Sequence, residues 1–101
     1  MLIAIATIKN EVTSQISPQA GRAPFYLIFN GQGKLLKAIK NPFAIGSGGA
    51  GFGVAKMLAD KGIDLVIAGK FGPNMTSALE ERGIKFEERL GEVQTVLKEI
   101  L

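Results

Sequence analysis

The chain has 101 residues and contains no cysteine, no histidine and no tryptophan. Without cysteine it can form no disulfide, no thiolate-ligated zinc or iron–sulfur site and no cysteine nucleophile. Without histidine it has no Ser-His-Asp triad, no imidazole metal ligand and no general base that titrates near neutral pH. A metal ion bound directly by the protein would need carboxylates, carbonyl oxygens or methionine sulfur as ligands.

Strong net charge and long apolar runs are also missing. The net charge is +3, and the basic residues form no run with interleaved aromatic residues, so we expect no nucleic-acid partner. No apolar stretch approaches the roughly 20 residues that span a bilayer. The N-terminal segment lacks the basic start and small-residue cleavage site of a signal peptide. We therefore expect a cytoplasmic protein without membrane association.

Hydrophobic residues make up 47% of the chain, which suits a single globular domain over residues 1–101. The hydrophobic patterns predict strands at residues 2–8, 25–29, 34–40, 64–68 and 84–88, and helices from residue 54 to a cap at Gly62, over residues 75–82, and after Gly91. The second and third strands form a hairpin around the turn at residues 30–33. The later alternation of helices and strands predicts parallel pairing and an α/β fold, a three-layer α/β/α sandwich.

Glycine is concentrated in residues 46–53, which hold five of the thirteen glycines and lead into the first predicted helix. Glycine lets a ligand approach the backbone closely, and a helix N-terminus offers unpaired N–H groups to anions. The segment therefore indicates an anion site, with a tight strand-to-helix crossover as the alternative. It matches G-x-G-x-x-G at Gly46, Gly48 and Gly51, but Phe71 stands where a dinucleotide-binding fold needs an acidic residue. NAD binding is therefore not expected.

A second loop, residues 69–74, also leaves a predicted parallel strand and enters a helix. Lys70 adds a positive charge there. Asn74 is either the N-cap of the helix or a ligand contact, and the cap is the favoured interpretation. Arg22, in the loop before the second strand, is suited equally to pairing with a carboxylate and to clamping an anion.

The residues of an enzyme active site are not apparent in the sequence. Ser47 has no base to activate its hydroxyl, so a nucleophilic role is not expected. Most of the carboxylates are placed on predicted helix surfaces or an edge strand, and no pair is positioned for acid–base or two-metal chemistry. We therefore expect a protein that is not an enzyme.

Several short motifs combine into a family resemblance that covers nearly the whole chain. Residues 17–26, SPQAGRAPFY, resemble the S-x-H-F-G-R-A-P-Y-F signature of the dinitrogenase iron-molybdenum cofactor biosynthesis family, the nitrogenase accessory factors. Asn41-Pro42, the glycine-rich segment, and the motifs at residues 55–64, 67–74 and 79–85 continue the pattern in order. The resemblance implies a ribonuclease H-like fold with a mixed five-stranded sheet. Nuclease activity is not implied, since the first strand lacks the acidic residue that such enzymes need.

The chain departs from the family pattern at two plausible metal ligands. Gln19 replaces the histidine of the signature, and Gly46-Ser47 stands where members often have another histidine. The groups that remain suit an anion held by hydrogen bonds and charge, without a protein–metal bond. We therefore predict no metal-ligating or catalytic residue. The predicted binding residues are Gln19, Arg22, Gly46, Ser47, Gly48, Gly49, Gly51, Lys70, Gly72 and Asn74.

Family members carry or transfer molybdenum-containing metal–sulfur clusters or their precursors, so the resemblance implies a non-enzymatic carrier or scaffold for such an anionic species. Metal-cluster donor or acceptor proteins are the implied partners. Two alternatives stay open: an interaction or regulatory domain of the same fold that has lost cluster binding, and a phosphate- or nucleotide-binding module that uses the same helix entries. The sequence leaves the oligomeric state undetermined.

Overall fold

The structure is a computed structural model that describes residues 1–46 and 48–101. Strands and helices follow each other in this order: β1 (Leu2–Thr7), β2 (Phe25–Asn30), β3 (Leu35–Lys40), α1 (Ala50–Asp60), β4 (Leu65–Ala68), α2 (Pro73–Glu81), β5 (Lys85–Glu88) and α3 (Val93–Ile100). Each predicted element is present in this part of the chain. The largest difference is at α1, which begins at Ala50, before the predicted start at Val54.

The strands form one mixed sheet in the order β3-β2-β1-β4-β5. β2 pairs antiparallel with β1 on one side and with β3 on the other. β1, β4 and β5 are parallel to one another. Ile3 of β1 has Phe29 as its antiparallel partner and Leu65 as its parallel partner, so β1 is the central strand where the two halves of the sheet meet. The mixed five-stranded sheet is therefore confirmed.

Helices cover both faces of this sheet, because successive side chains of a strand point to opposite sides. Ala4 and Ala6 of β1 pack in the apolar cluster that contains α1 and α2. Ile3 and Ile5 pack in a second cluster with Val93, Val96 and Leu97 of α3. The predicted α/β/α arrangement is confirmed, with two helices on one face and one on the other. No helix among the described residues has the length and apolar character needed to cross a membrane.

The N-termini of α1 and α2 lie at one edge of the sheet, the edge at which the parallel strand β4 ends. α1 begins after Gly49, whose φ of +89° is a conformation that favours glycine. α2 begins after Gly72 and has Pro73 at its first position, where the missing N–H costs no helical hydrogen bond. The loop after β1 joins this edge, because Ser17 N–H donates to Ala6 and Gly69 N–H donates to Ser17, each over 2.8 Å.

Candidate functional site

An open cleft of about 400 Å³ lies at this edge. Its walls are residues 19–22 of the loop before β2, residues 50–51 of α1, and residues 70–75 of the loop into α2. The Ala20 N–H donates to the Lys70 carbonyl over 2.9 Å, which fixes the first wall to the third. Six of the predicted binding residues line this cleft: Gln19, Arg22, Gly51, Lys70, Gly72 and Asn74.

The first turns of the two helices touch each other at the cleft. A Cβ built on Gly51 would lie 3.0 Å from the Met75 backbone nitrogen, so the helices approach this closely only because residue 51 is glycine. The first helical hydrogen bonds are Gly53 N–H to Gly49 and Thr76 N–H to Gly72. The amides before them have no intrahelical acceptor, and the two helix dipoles place their partial positive charges side by side.

Glycines 51 and 53 therefore have a role that the sequence interpretation missed. Both lie inside α1 and not in a loop before it. A Cβ at Gly53 would overlap the aromatic ring of Phe43, which packs against the helix there. High glycine content suggested a flexible ligand-binding loop, but at these two positions it permits close packing of α1 against its neighbours.

Arg22 stands between the cleft and a smaller neighbouring one of about 220 Å³. Its Nη1 donates a 3.0 Å hydrogen bond to the Phe43 carbonyl oxygen. The smaller cleft is also lined by Gly46, Gly48 and Gly49, so the remaining predicted glycines adjoin the main site through Arg22. The predicted Ser47 lies outside the described residues.

Asn74 is not the N-cap of α2. Gly72 occupies that position with extended backbone angles, and no side chain there makes a capping hydrogen bond. Because Pro73 takes the first helical position, Asn74 falls one residue inside the first turn, where it is exposed and lines the cleft. The favoured interpretation of this residue was wrong, while its other role, a ligand contact, stays a prediction.

Three residues that support the cleft were not singled out from the sequence. The Tyr26 hydroxyl donates to the Ala20 carbonyl, and burial raises the pKa of this phenol. Glu88 Oε2 accepts the Phe71 N–H over 3.0 Å, which anchors the loop into α2. Asn41 is buried between the loop before β2 and the segment after β3. The proline after Asn41 restricts the Asn41 backbone but carries no signal of the bonds that its side chain makes.

The charges around the cleft favour an anion. Arg22 and Lys70 line it, and none of its described lining residues is acidic. Glu88 is the acidic side chain hydrogen-bonded to a lining residue. Among the described residues no three His, Cys, Asp or Glu side chains come together as a metal site. The arrangement is therefore suited to recognising an anion through N–H groups and positive charge.

Solved structures share this fold. The apo form of the orange protein from Desulfovibrio gigas is 24% identical, with a TM-score of 0.90 over 98% of this chain and 85% of that one. A putative NifB protein from Thermotoga is 26% identical, with a TM-score of 0.81 and the same coverage of 98% and 85%. No curated protein matches the chain. A family model described as dinitrogenase iron-molybdenum cofactor matches residues 1–101, and the chain belongs to that family.

Proposed function

We propose that this protein is a non-enzymatic carrier or scaffold that binds an anionic molybdenum or iron–sulfur cluster, or a precursor of one, in the 400 Å³ cleft. The observation that carries the proposal is the meeting of four features that favour an anion in one cleft whose described lining residues include none that is acidic. These features are the first turns of α1 and α2 and the two basic lining residues, Arg22 and Lys70.

The cargo is held without a bond from protein to metal. The chain has neither cysteine nor histidine, and its described carboxylates form no metal-binding group. Backbone N–H groups at the N-terminal ends of α1 and α2 donate to the sulfide or oxide ligands on the surface of the cargo. Arg22 adds a directional charge-assisted donor, and Lys70 adds a mobile positive charge.

Family membership supports the same class of cargo, because the family takes its name from the iron-molybdenum cofactor. The structure of the orange protein from Desulfovibrio gigas is described as an apo form. At 24% identity the comparison supports the fold, and the cargo of the present chain rests on its own cleft.

A carrier has to meet donor or acceptor proteins, and exposed apolar side chains flank the cleft. Ile45 lines the smaller cleft and is 93% exposed, and Leu90, next to Gly69, is 67% exposed. Phe52 follows the lining residue Gly51 and is also exposed. These exposed apolar side chains are available to contact a partner protein. They also favour the second candidate function, an interaction domain without cargo.

Titration with tetrathiomolybdate, followed by equilibrium dialysis and molybdenum analysis, tests the proposal. We expect one anion per chain and a loss of affinity of about tenfold or more in Arg22→Ala, since a charge-assisted hydrogen bond is removed. Arg82→Ala is the matched control, because Arg82 also donates to a backbone carbonyl, that of Ala78, at the opposite end of α2.

Three results would contradict the proposal. They are no binding by the wild-type protein, equal losses in Arg22→Ala and Arg82→Ala, and tighter binding of ATP or inorganic phosphate than of the thiomolybdate. The last result would favour the phosphate- or nucleotide-binding alternative. A thermal shift on ligand addition would report it, because a ligand that binds only the folded state stabilises it by mass action.

A further inference from the structure

The side chain of Asn41 makes three hydrogen bonds to backbone groups inside the protein. Asn41 is 3% exposed and follows directly after β3. Its Nδ2 donates to the carbonyl oxygens of Gly21, over 3.1 Å, and Ala23, over 2.9 Å. Its Oδ1 accepts the Phe43 N–H over 2.9 Å. An amide has two donor hydrogens and one acceptor oxygen, and each of these groups has a backbone partner.

These partners surround Arg22 on both sides. Gly21 and Ala23 are its neighbours along the chain, and Phe43 supplies the carbonyl that receives the Arg22 guanidinium over 3.0 Å. The buried Asn41 amide therefore fixes two backbone segments. One is Gly21–Ala23, which carries Arg22, and the other is Phe43, whose carbonyl accepts the Arg22 hydrogen bond. Asn41 itself is not among the residues that line the cleft.

We infer that Asn41 is a positioning residue for anion binding and acts through Arg22. The inference rests on the proposed function of the cleft. Without the amide, the carbonyls of Gly21 and Ala23 lose their common donor and the Phe43 N–H loses its acceptor. The guanidinium of Arg22 is then held less firmly beside the cleft, and a bound anion has to order it at an entropic cost.

A double-mutant cycle on tetrathiomolybdate affinity tests this role. Asn41→Ala lowers the affinity about tenfold in the wild-type background and by less than about twofold in the Arg22→Ala background, because its effect passes through the guanidinium. A residue with only a structural role lowers the affinity by the same factor in both backgrounds, and that result would overturn the inference.

Asn30→Ala is the matched control. Asn30 also uses its side chain to bind backbone, accepting the N–H groups of Gln32 and Lys34 in the β2–β3 turn. It lies at the far end of β2, opposite Leu2. Its removal lowers stability and leaves the affinity for tetrathiomolybdate unchanged.

The outcomes separate the two proposals. Absence of binding by the wild-type protein contradicts the proposed function. Binding in which the effects of Asn41→Ala and Arg22→Ala simply add contradicts the role of Asn41 alone.

Two further measurements apply if Asn41→Ala does not fold. Asn41→Ser adds no charge and carries a hydroxyl, but it is too short to join both carbonyls to Phe43, so the same pattern of coupling is expected. In the wild-type protein, a saturating concentration of tetrathiomolybdate slows hydrogen exchange of the Asn41 side-chain amide and leaves that of Asn30 unchanged. An exchange rate of Asn41 that does not respond to the anion contradicts the inference.

Discussion

The Arg22 guanidinium and the Phe43 carbonyl are joined by a 3.0 Å hydrogen bond across 21 positions of sequence. This bond connects the loop before β2 to the segment between β3 and α1. Arg22 lines both the main cleft and the smaller glycine-lined one. Arg22 therefore belongs to both clefts of the candidate site.

Replacing Glu88 with Gln should strengthen anion binding. Glu88 holds the Phe71 N–H, and a glutamine oxygen can accept the same bond while removing a negative charge beside the cleft. We expect the affinity for tetrathiomolybdate to rise by about two- to threefold at low ionic strength and to rise less in high salt. Glu81→Gln, at the C-terminal end of α2, is the control and should have no effect. Weaker binding by Glu88→Gln would mean that the cleft does not select for negative charge.

Gly69→Ala should destabilise the protein. A Cβ at this position would lie 2.7 Å from the Pro18 Cα and 3.0 Å from the Pro18 carbonyl oxygen. Backbone atoms cannot move aside cheaply, so we expect the free energy of unfolding to fall by about 1–3 kcal/mol. Gly48→Ala is the control, since its Cβ would meet no described atom within 4 Å and its φ lies outside the left-handed region. Urea denaturation of both variants measures the difference, and equal stabilities would be inconsistent with this packing.

Much of the fold was predictable from the sequence. Successive side chains of β1 point to opposite faces, so Ala4 and Ala6 pack against one helical layer and Ile3 and Ile5 against the other. The hairpin and the glycines after α1 and α2 were also predictable from local rules. The contacts of Asn41 and Arg22 were not, since they join distant residues whose proximity depends on the finished sheet. The packing role of the α1 glycines was missed because a propensity for loops and a requirement for close packing leave the same signal in a sequence, while Gly51 as a binding residue stays a prediction.

Tyr26 provides a test of the buried loop anchor through pH. It is the single tyrosine of a chain without tryptophan, so absorbance near 295 nm reports its ionisation alone. Burial raises its pKa, which favours the neutral phenol in the folded state. The stability that the neutral Tyr26 phenol contributes to the folded state is complete below the ordinary tyrosine pKa of about 10 and is lost as the pH rises beyond it. Tyrosinate should therefore appear only with unfolding, and a reversible titration near pH 10 in the folded protein would contradict this burial.

Thr7→Val should stabilise the protein. The Thr7 hydroxyl is buried at the end of β1 and has no hydrogen-bond partner among the described residues. Valine has nearly the same shape and removes the unsatisfied group, so we expect a gain of about 1 kcal/mol in the free energy of unfolding. Thr13→Val, at an exposed position, should change stability by less than about 0.5 kcal/mol. A destabilised Thr7→Val protein would show that the hydroxyl has a partner in solution.

X-ray absorption at the molybdenum edge of the protein loaded with tetrathiomolybdate tests the central claim most directly. The claim is that the cargo is held as an intact anion by N–H groups and positive charge. We predict that molybdenum stays with the protein through dialysis and keeps four sulfide ligands with no nitrogen, oxygen or thioether ligand from the chain. Replacement of a sulfide by a protein atom, or loss of the molybdenum on dialysis, would contradict the account.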